Sequence, residues 1–249
     1  MLEFWVGCAG GILIGSTGVG LGLVVTPLLI LAGHSPTVAV GTVLGVSVVS
    51  KMVGTVVHDR LGHWPGRDMW ILLAGGVAGV GVAWCFALAV ALPGRIDLDA
   101  WLKRALALIL FLAVFALLKI DRARSRRLVA SGRNRAWLLP IGIGIGTLQA
   151  LTSAGSGSLL TPALASTTDW EVPQIAAVSN LFGALVGALS VGLYFKLGDF
   201  NMHLFGEVLL GLLPGVVVGS LLSRWISRYW FVRGIAALVT IIAVRLLFA

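Results

Sequence analysis

The chain carries the same glycine-rich break twice, each time inside an apolar stretch, and nothing else in the sequence limits its fold as strongly. The first copy runs Thr17-Gly18-Val19-Gly20-Leu21-Gly22-Leu23-Val24-Val25-Thr26-Pro27. The second runs Thr152-Ser153-Ala154-Gly155-Ser156-Gly157-Ser158-Leu159-Leu160-Thr161-Pro162, so that Gly20, Gly22, Thr26 and Pro27 fall on Gly155, Gly157, Thr161 and Pro162 at a constant spacing. In water such a run reads as a loop. In hydrocarbon an opened backbone survives only where protein or a water-filled cavity satisfies its amides and carbonyls. Two interruptions at corresponding places in two halves of a membrane chain therefore point to a binding site near the bilayer midplane.

The membrane assignment itself rests on composition. Of the 249 residues 58% are hydrophobic, 11% are charged and 33 are glycine, with a mean hydropathy of +1.02, whereas soluble chains carry roughly 25% charged residues. The charges are also clustered, which leaves several uncharged stretches long enough to cross a bilayer. Glu3 is the only charge before His34, and no removable signal peptide is expected. Most of the net charge of +8 comes from Lys119, Arg122, Arg124, Arg126, Arg127, Arg133 and Arg135. In a short loop between apolar spans that cluster follows the positive-inside bias and marks the cytoplasmic side, so no nucleic-acid partner is expected. Cys8 and Cys85 sit in separate apolar segments without metal-ligand spacing and read as packed thiols.

Taken in order, Leu2 to Leu31 is apolar but broken near Thr17 to Gly22, and Gly33-His34-Ser35-Pro36 makes a turn. As one helix it would reach about 45 Å, too long for a core of about 30 Å, while two half-helices would each reach the middle and turn back. Further spans are expected over Thr37 to Val57, Met69 to Leu92 and Trp101 to Leu118. The pattern then restarts: a broken stretch from Trp137 to Ala165, a turn from Asp169 to Pro173, and spans over Gln174 to Phe195, Phe205 to Leu222 and Trp230 to Phe248. The expected fold is an all-α polytopic membrane protein of two tandem repeats, each a broken or re-entrant glycine-rich helix plus about three transmembrane helices. The first repeat covers residues 1–118, a basic cytoplasmic linker residues 119–135, and the second repeat residues 136–249. If each broken segment is a re-entrant hairpin the repeats are inverted; if it spans, they are parallel. Lysine and arginine counts on the two sides favour inversion marginally, and segment length agrees.

The two breaks, the duplication and the short length together resemble the TauE/SafE family of bacterial membrane transporters. The residues that carry the likeness are Gly18-Val19-Gly20-Leu21-Gly22-Leu23-Val24-Val25-Thr26-Pro27, Ala39-Val40-Gly41-Thr42 and Ser153-Ala154-Gly155-Ser156-Gly157-Ser158-Leu159-Leu160-Thr161-Pro162. The resemblance covers nearly the whole chain. It implies transport of a small sulfur-containing anion, typically export of sulfite or of an organosulfonate such as sulfoacetate, across the bacterial cytoplasmic (inner) membrane.

The residues themselves suit an anion. Backbone N–H groups at a helix start, together with the helix dipole, attract negative charge. Gly18, Gly20 and Gly22 precede a helical stretch expected over Leu23 to Leu31, and Gly155, Ser156, Gly157 and Ser158 precede one over Leu159 to Ala165. Thr17, Thr26, Thr152, Ser153, Ser156, Ser158 and Thr161 would add hydroxyls, although small residues also serve close helix packing. Lys51 lies inside the second segment, where burying an ammonium costs about 2.5 to 3.5 kcal/mol. It reads either as the charge of an anion site or as a side chain reaching toward the polar turn at His58. Asn180 is a further site candidate, and Gln149, Thr42, Ser47 and Ser50 are other polar positions in the spans. Catalysis is not expected: a serine nucleophile at Ser156 or Ser158 needs a base nearby, and no carboxylate or HExxH cluster is present to hold a metal. No cofactor is expected. The partners expected are a small anionic substrate and the lipid bilayer, and the sequence leaves open a homo-oligomer, a passive anion channel of the same architecture, and a thiosulfate or other sulfur-oxyanion importer.

Overall fold

The computed structural model describes residues 1–17, 20–91, 135–197 and 199–222, with isolated positions at 104, 107, 108, 237, 240, 241, 244 and 245. The expected spans over Trp101 to Leu118 and Trp230 to Phe248, and nearly all of the basic linker, lie outside the described residues. Within them are eight α-helices and no strand. In chain order these are α1 (Leu2–Thr17), α2 (Leu21–Leu31), α3 (Pro36–Arg60), α4 (Asp68–Ala91), α5 (Leu138–Thr152), α6 (Thr161–Thr167), α7 (Val172–Leu197) and α8 (Met202–Leu222). A five-residue π-helical turn, Ser156–Leu160, leads into α6.

Helices α3, α4, α7 and α8 are long and apolar enough to cross a membrane. Their ends follow local chemistry. Ser35 caps α3 by accepting a hydrogen bond from the Val38 N–H, with Pro36 in the first turn where its missing donor costs nothing. Gly33 adopts φ +99°, so the His34 N–H can turn back to the Leu29 carbonyl and close α2. Asn201 accepts from the Leu204 N–H at the start of α8. Large apolar side chains such as Trp70, Val77, Leu210, Leu213 and Val217 point outward from these helices, where lipid rather than water can receive them.

The interior divides into two packed groups. One joins α2, α3 and α8 through Leu21, Val25, Leu29, Val43, Val46, Val208 and Leu212. The other joins α4, α5, α7 and the π-helical turn through Leu72, Leu73, Ile145, Leu151, Leu160, Phe182 and Val186. Between them α3 crosses α7 antiparallel: Gly41 faces Tyr194, Val48 faces Gly187, Lys51 faces Gly183 and Gly54 faces Asn180.

Two further helix pairs tie the front of the chain to its back. Helix α1 runs parallel to α8, with Gly7, Gly11 and Gly15 against Val208, Leu212 and Val216, and Gly211, Gly215 and Gly219 against Phe4, Cys8 and Ile12. Each glycine faces a backbone carbonyl at a distance no β-carbon could occupy. Helix α4 runs parallel to α5 in the same manner, through Gly75 and Gly79 on one and Gly142 and Gly146 on the other. Spacing by four places each glycine on one helical face, the arrangement that lets membrane helices approach backbone to backbone.

Both broken segments fold back on themselves. Helix α2 returns along α1, so that a β-carbon on Gly10 would strike Val25, and Gly155 lies against Ile145 and Gln149 of α5. The hairpins open at opposite ends of the bundle. At the start of α3, His34 Nε2 is 3.5 Å from Glu3, and the Met1 ammonium is 3.0 Å from Glu207 of α8. Just beyond the end of α3, Arg135 Nε is 3.0 Å from Asp68, beside a cleft that Thr167, Thr168 and Asp169 also line. The 25 residues of α3, about 37 Å of helix, separate the two mouths.

The glycine faces give a controlled prediction. Gly211→Leu should force α1 away from α8 and lower the melting temperature of the detergent-purified protein, whereas Gly206→Leu on the same helix meets open space and should not. Equal melting temperatures for the two variants would show that the close approach of α1 and α8 contributes nothing to stability.

Candidate functional site

The tips of the two hairpins meet. Helix α2 starts at Leu21 rather than at Leu23, after an extended Gly20. The second break starts with Ser153 at φ 59°, the one non-glycine residue with positive φ among the described residues, followed by Gly155 at φ +151°. From there the Leu159 and Leu160 N–H groups both reach the Gly155 carbonyl, which makes the first turn π-helical instead of the α-helical start expected from sequence. The i to i+5 bond gives that turn a wider ring, a feature that recurs at functional sites.

Contact between the tips is made by backbone and by hydroxyls. A β-carbon on Gly22 would collide with the Ser153 carbonyl, and one on Gly157 would sit 3.1 Å from the Gly20 α-carbon. Thr26 Oγ1 and Ser153 Oγ lie 2.6 Å apart, both side chains buried. From the side, Lys51 of α3 reaches across and donates to Ser156 Oγ. Gly183 of α7 makes the room: a β-carbon there would run into the lysine tail and come close to the serine hydroxyl.

Of the residues expected at the site, the structure brings together Gly20, Gly22, Thr26, Lys51, Ser153, Ser156 and Gly157. Ser158 is buried with a hydroxyl that has no hydrogen-bond partner. Thr152 turns its hydroxyl back to the Leu148 carbonyl and closes its own helix. Gly155 forms the bend itself. Asn180 packs on Gly54, one turn beyond Lys51. Thr161 stands apart: it is exposed, with Oγ1 3.4 Å from Ser179 on α7. Thr17 ends α1, while Gly18 and the Thr17 side chain lie outside the described residues.

Two residues complete the second break that the site expected from sequence did not include. The Tyr194 hydroxyl donates to the Ala150 carbonyl at 3.1 Å, supporting the last turn of α5. Gln149 is fully buried, and its Nε2 donates to the Gly183 carbonyl at 3.0 Å. A tyrosine inside an apolar span is itself a signal, because its hydroxyl must find a partner there. Electrostatically the centre is one-sided. Among the described residues the ion pairs are all at the ends of the bundle, through Glu3, Glu207 and Asp68, and no carboxylate pairs with Lys51.

An all-helical bundle with lipid-facing apolar surfaces, two broken hairpins meeting inside it and a lysine at their junction has the build of a polytopic membrane transporter. The chain belongs to the TauE/SafE family: the family model described as "Sulfite exporter TauE/SafE" matches residues 3–246. It is 31% identical over 220 residues to a Bacillus subtilis (strain 168) protein described as "Probable membrane transporter protein YjnA", with 86% of each chain covered. No solved structure matches the chain.

The Thr26 to Ser153 bond can be weighed directly. Thr26→Val keeps the shape and removes the hydroxyl, and should cost about 0.6 to 2 kcal/mol, read as a lowered melting temperature in detergent against Ser166→Ala, whose hydroxyl only bonds within its own helix. A Thr26→Val protein as stable as that control would mean that the hydroxyl bridge between the tips carries no weight.

Proposed function

We propose that this protein carries a small sulfur-containing oxyanion, sulfite or an organosulfonate such as sulfoacetate, across the cytoplasmic membrane by alternating access, with the anion held where the two glycine-rich breaks meet. The observation that carries this reading is the Lys51 to Ser156 contact. It places a basic side chain, which no carboxylate among the described residues pairs, against a break rich in hydroxyls and backbone donors. An ammonium in hydrocarbon is costly unless an opposite charge meets it, and an anion supplies that charge. Export as the direction follows the description of the family.

The carrier is built of two inverted repeats, residues 1–118 and 136–249. In this reading α1 and α5 correspond, as do α2 and the turn with α6, α3 and α7, and α4 and α8. What supports it is that the corresponding helices α3 and α7 run antiparallel, that the corresponding hairpins open at opposite ends of the bundle, and that α1 packs on α8 just as α5 packs on α4. An inverted pair provides two equivalent arrangements. Rocking one hairpin and its glycine-faced partner helix relative to the other opens the junction toward one side while closing the other.

Counterflow in proteoliposomes tests the proposal, with sulfite, sulfoacetate, thiosulfate, sulfate and chloride compared side by side. Saturable counterflow of one sulfur oxyanion is expected, reduced at least about tenfold by Lys51→Met through lost charge pairing while the melting temperature is retained. Unsaturable chloride flux, or wild-type counterflow by Lys51→Met, would overturn it.

A further inference from the structure

Gln149 is the polar side chain at this junction whose chemistry does not fit a bare anion. It sits one turn before the left-handed Ser153, at 0% exposure. Its carboxamide orientation is fixed by chemistry: Nε2 must face the Gly183 carbonyl 3.0 Å away, because turning the amide over would set two oxygen acceptors against each other. That leaves Oε1 buried and without a hydrogen-bond partner, and a buried acceptor in that condition costs about 1 to 3 kcal/mol. Gly183 ties the amide to the anion site, since the same residue whose carbonyl receives Gln149 has Lys51 Nζ and Ser156 Oγ in the space that a β-carbon on it would take.

Lys51 and Ser156 donate to anionic oxygens. Gln149 Oε1 cannot, and an oxygen that only accepts repels a fully deprotonated head group. We infer that Gln149 selects an anion that carries its own hydrogen-bond donor: a singly protonated oxyanion, or a sulfonate with an amine or hydroxyl beside its head group, in preference to a donor-free anion of the same size and charge. The inference rests on the anion-site reading of Lys51. A site with a committed buried acceptor rejects the analogue that lacks the donor, because binding it would leave the acceptor unpaired.

Sulfamate and methanesulfonate separate these cases, being monoanions of nearly the same shape that differ by an amino against a methyl group. Binding to the purified full chain, read as concentration-dependent thermal stabilisation and as inhibition of sulfite counterflow, should favour sulfamate by at least about tenfold. Gln149→Met and Gln149→Leu should remove most of that difference, chiefly by weakening sulfamate. Equal binding of both anions to the wild type overturns the role of Gln149 while leaving the anion site in place, and this comparison needs no variant to fold. A preference that survives in Gln149→Met overturns it as well. If neither anion binds and Lys51→Met changes nothing, the anion site itself fails, and the inference with it.

Discussion

Everything in this protein depends on closing opened backbone inside hydrocarbon. A chain that stops being helical at the middle of a bilayer exposes donors and acceptors that lipid cannot satisfy. Here the solution is reciprocal. Gly22 lies against the Ser153 carbonyl and Gly157 against Gly20, so the two opened segments bury each other, and Thr26 bonds Ser153 across them. Tyr194 and Gln149 add a hydroxyl and an amide from outside the breaks to hold the end of α5 and anchor it to α7. Glycine is required at Gly22, where a β-carbon would overlap the Ser153 carbonyl.

The close contact at the tips is possible because the supporting helices are also close. The α1 with α8 and α4 with α5 pairs each approach backbone to backbone over a run of glycines, which fastens each hairpin to its partner helix. The proposed cycle uses that property. Motion is expected where the two halves meet, at the hairpin tips and the α3–α7 crossing, while the groups around Phe182 and around Leu29 move as units.

Much of this was legible in the sequence, for identifiable reasons. The duplicated break is a statement about residue types at fixed spacing, so Gly20, Gly22, Thr26, Ser153, Ser156 and Gly157 stand out from the sequence alone. Lys51 stood out because charge is rare in a span. What escaped depends on partners distant in sequence. The runs Gly7-Gly11-Gly15 and Gly211-Gly215-Gly219 are visible as spacings, but nothing local says they face one another. The π-helical turn after Gly155 comes from the Leu160 N–H reaching the Gly155 carbonyl, a bond that local propensity, which favours an α-helix, does not announce. Thr161 matched Thr26 by position and does not share its role, because the π-helical turn rotates it onto the exposed side. Gln149 is one of several polar positions in the spans, with nothing local to set it apart, because only the orientation imposed by Gly183 reveals its free acceptor.

The chemistry at the junction is less symmetric than the scaffold around it. The position on α7 that corresponds to Lys51 of α3, near Ala188, carries no base, and Ser153 has no hydroxyl counterpart at Gly18. A carrier has use for both properties. In the proposed cycle near-equal energies of the two facing states would follow from an inverted pair of repeats, since each state would be close to the other with the halves exchanged. In the same reading Lys51 adds a single charge to the hydroxyls and backbone donors of the breaks, which pairs a small anion without the stronger hold of a second lysine. Duplicated glycine breaks beside a single unduplicated lysine meet both demands within one short chain.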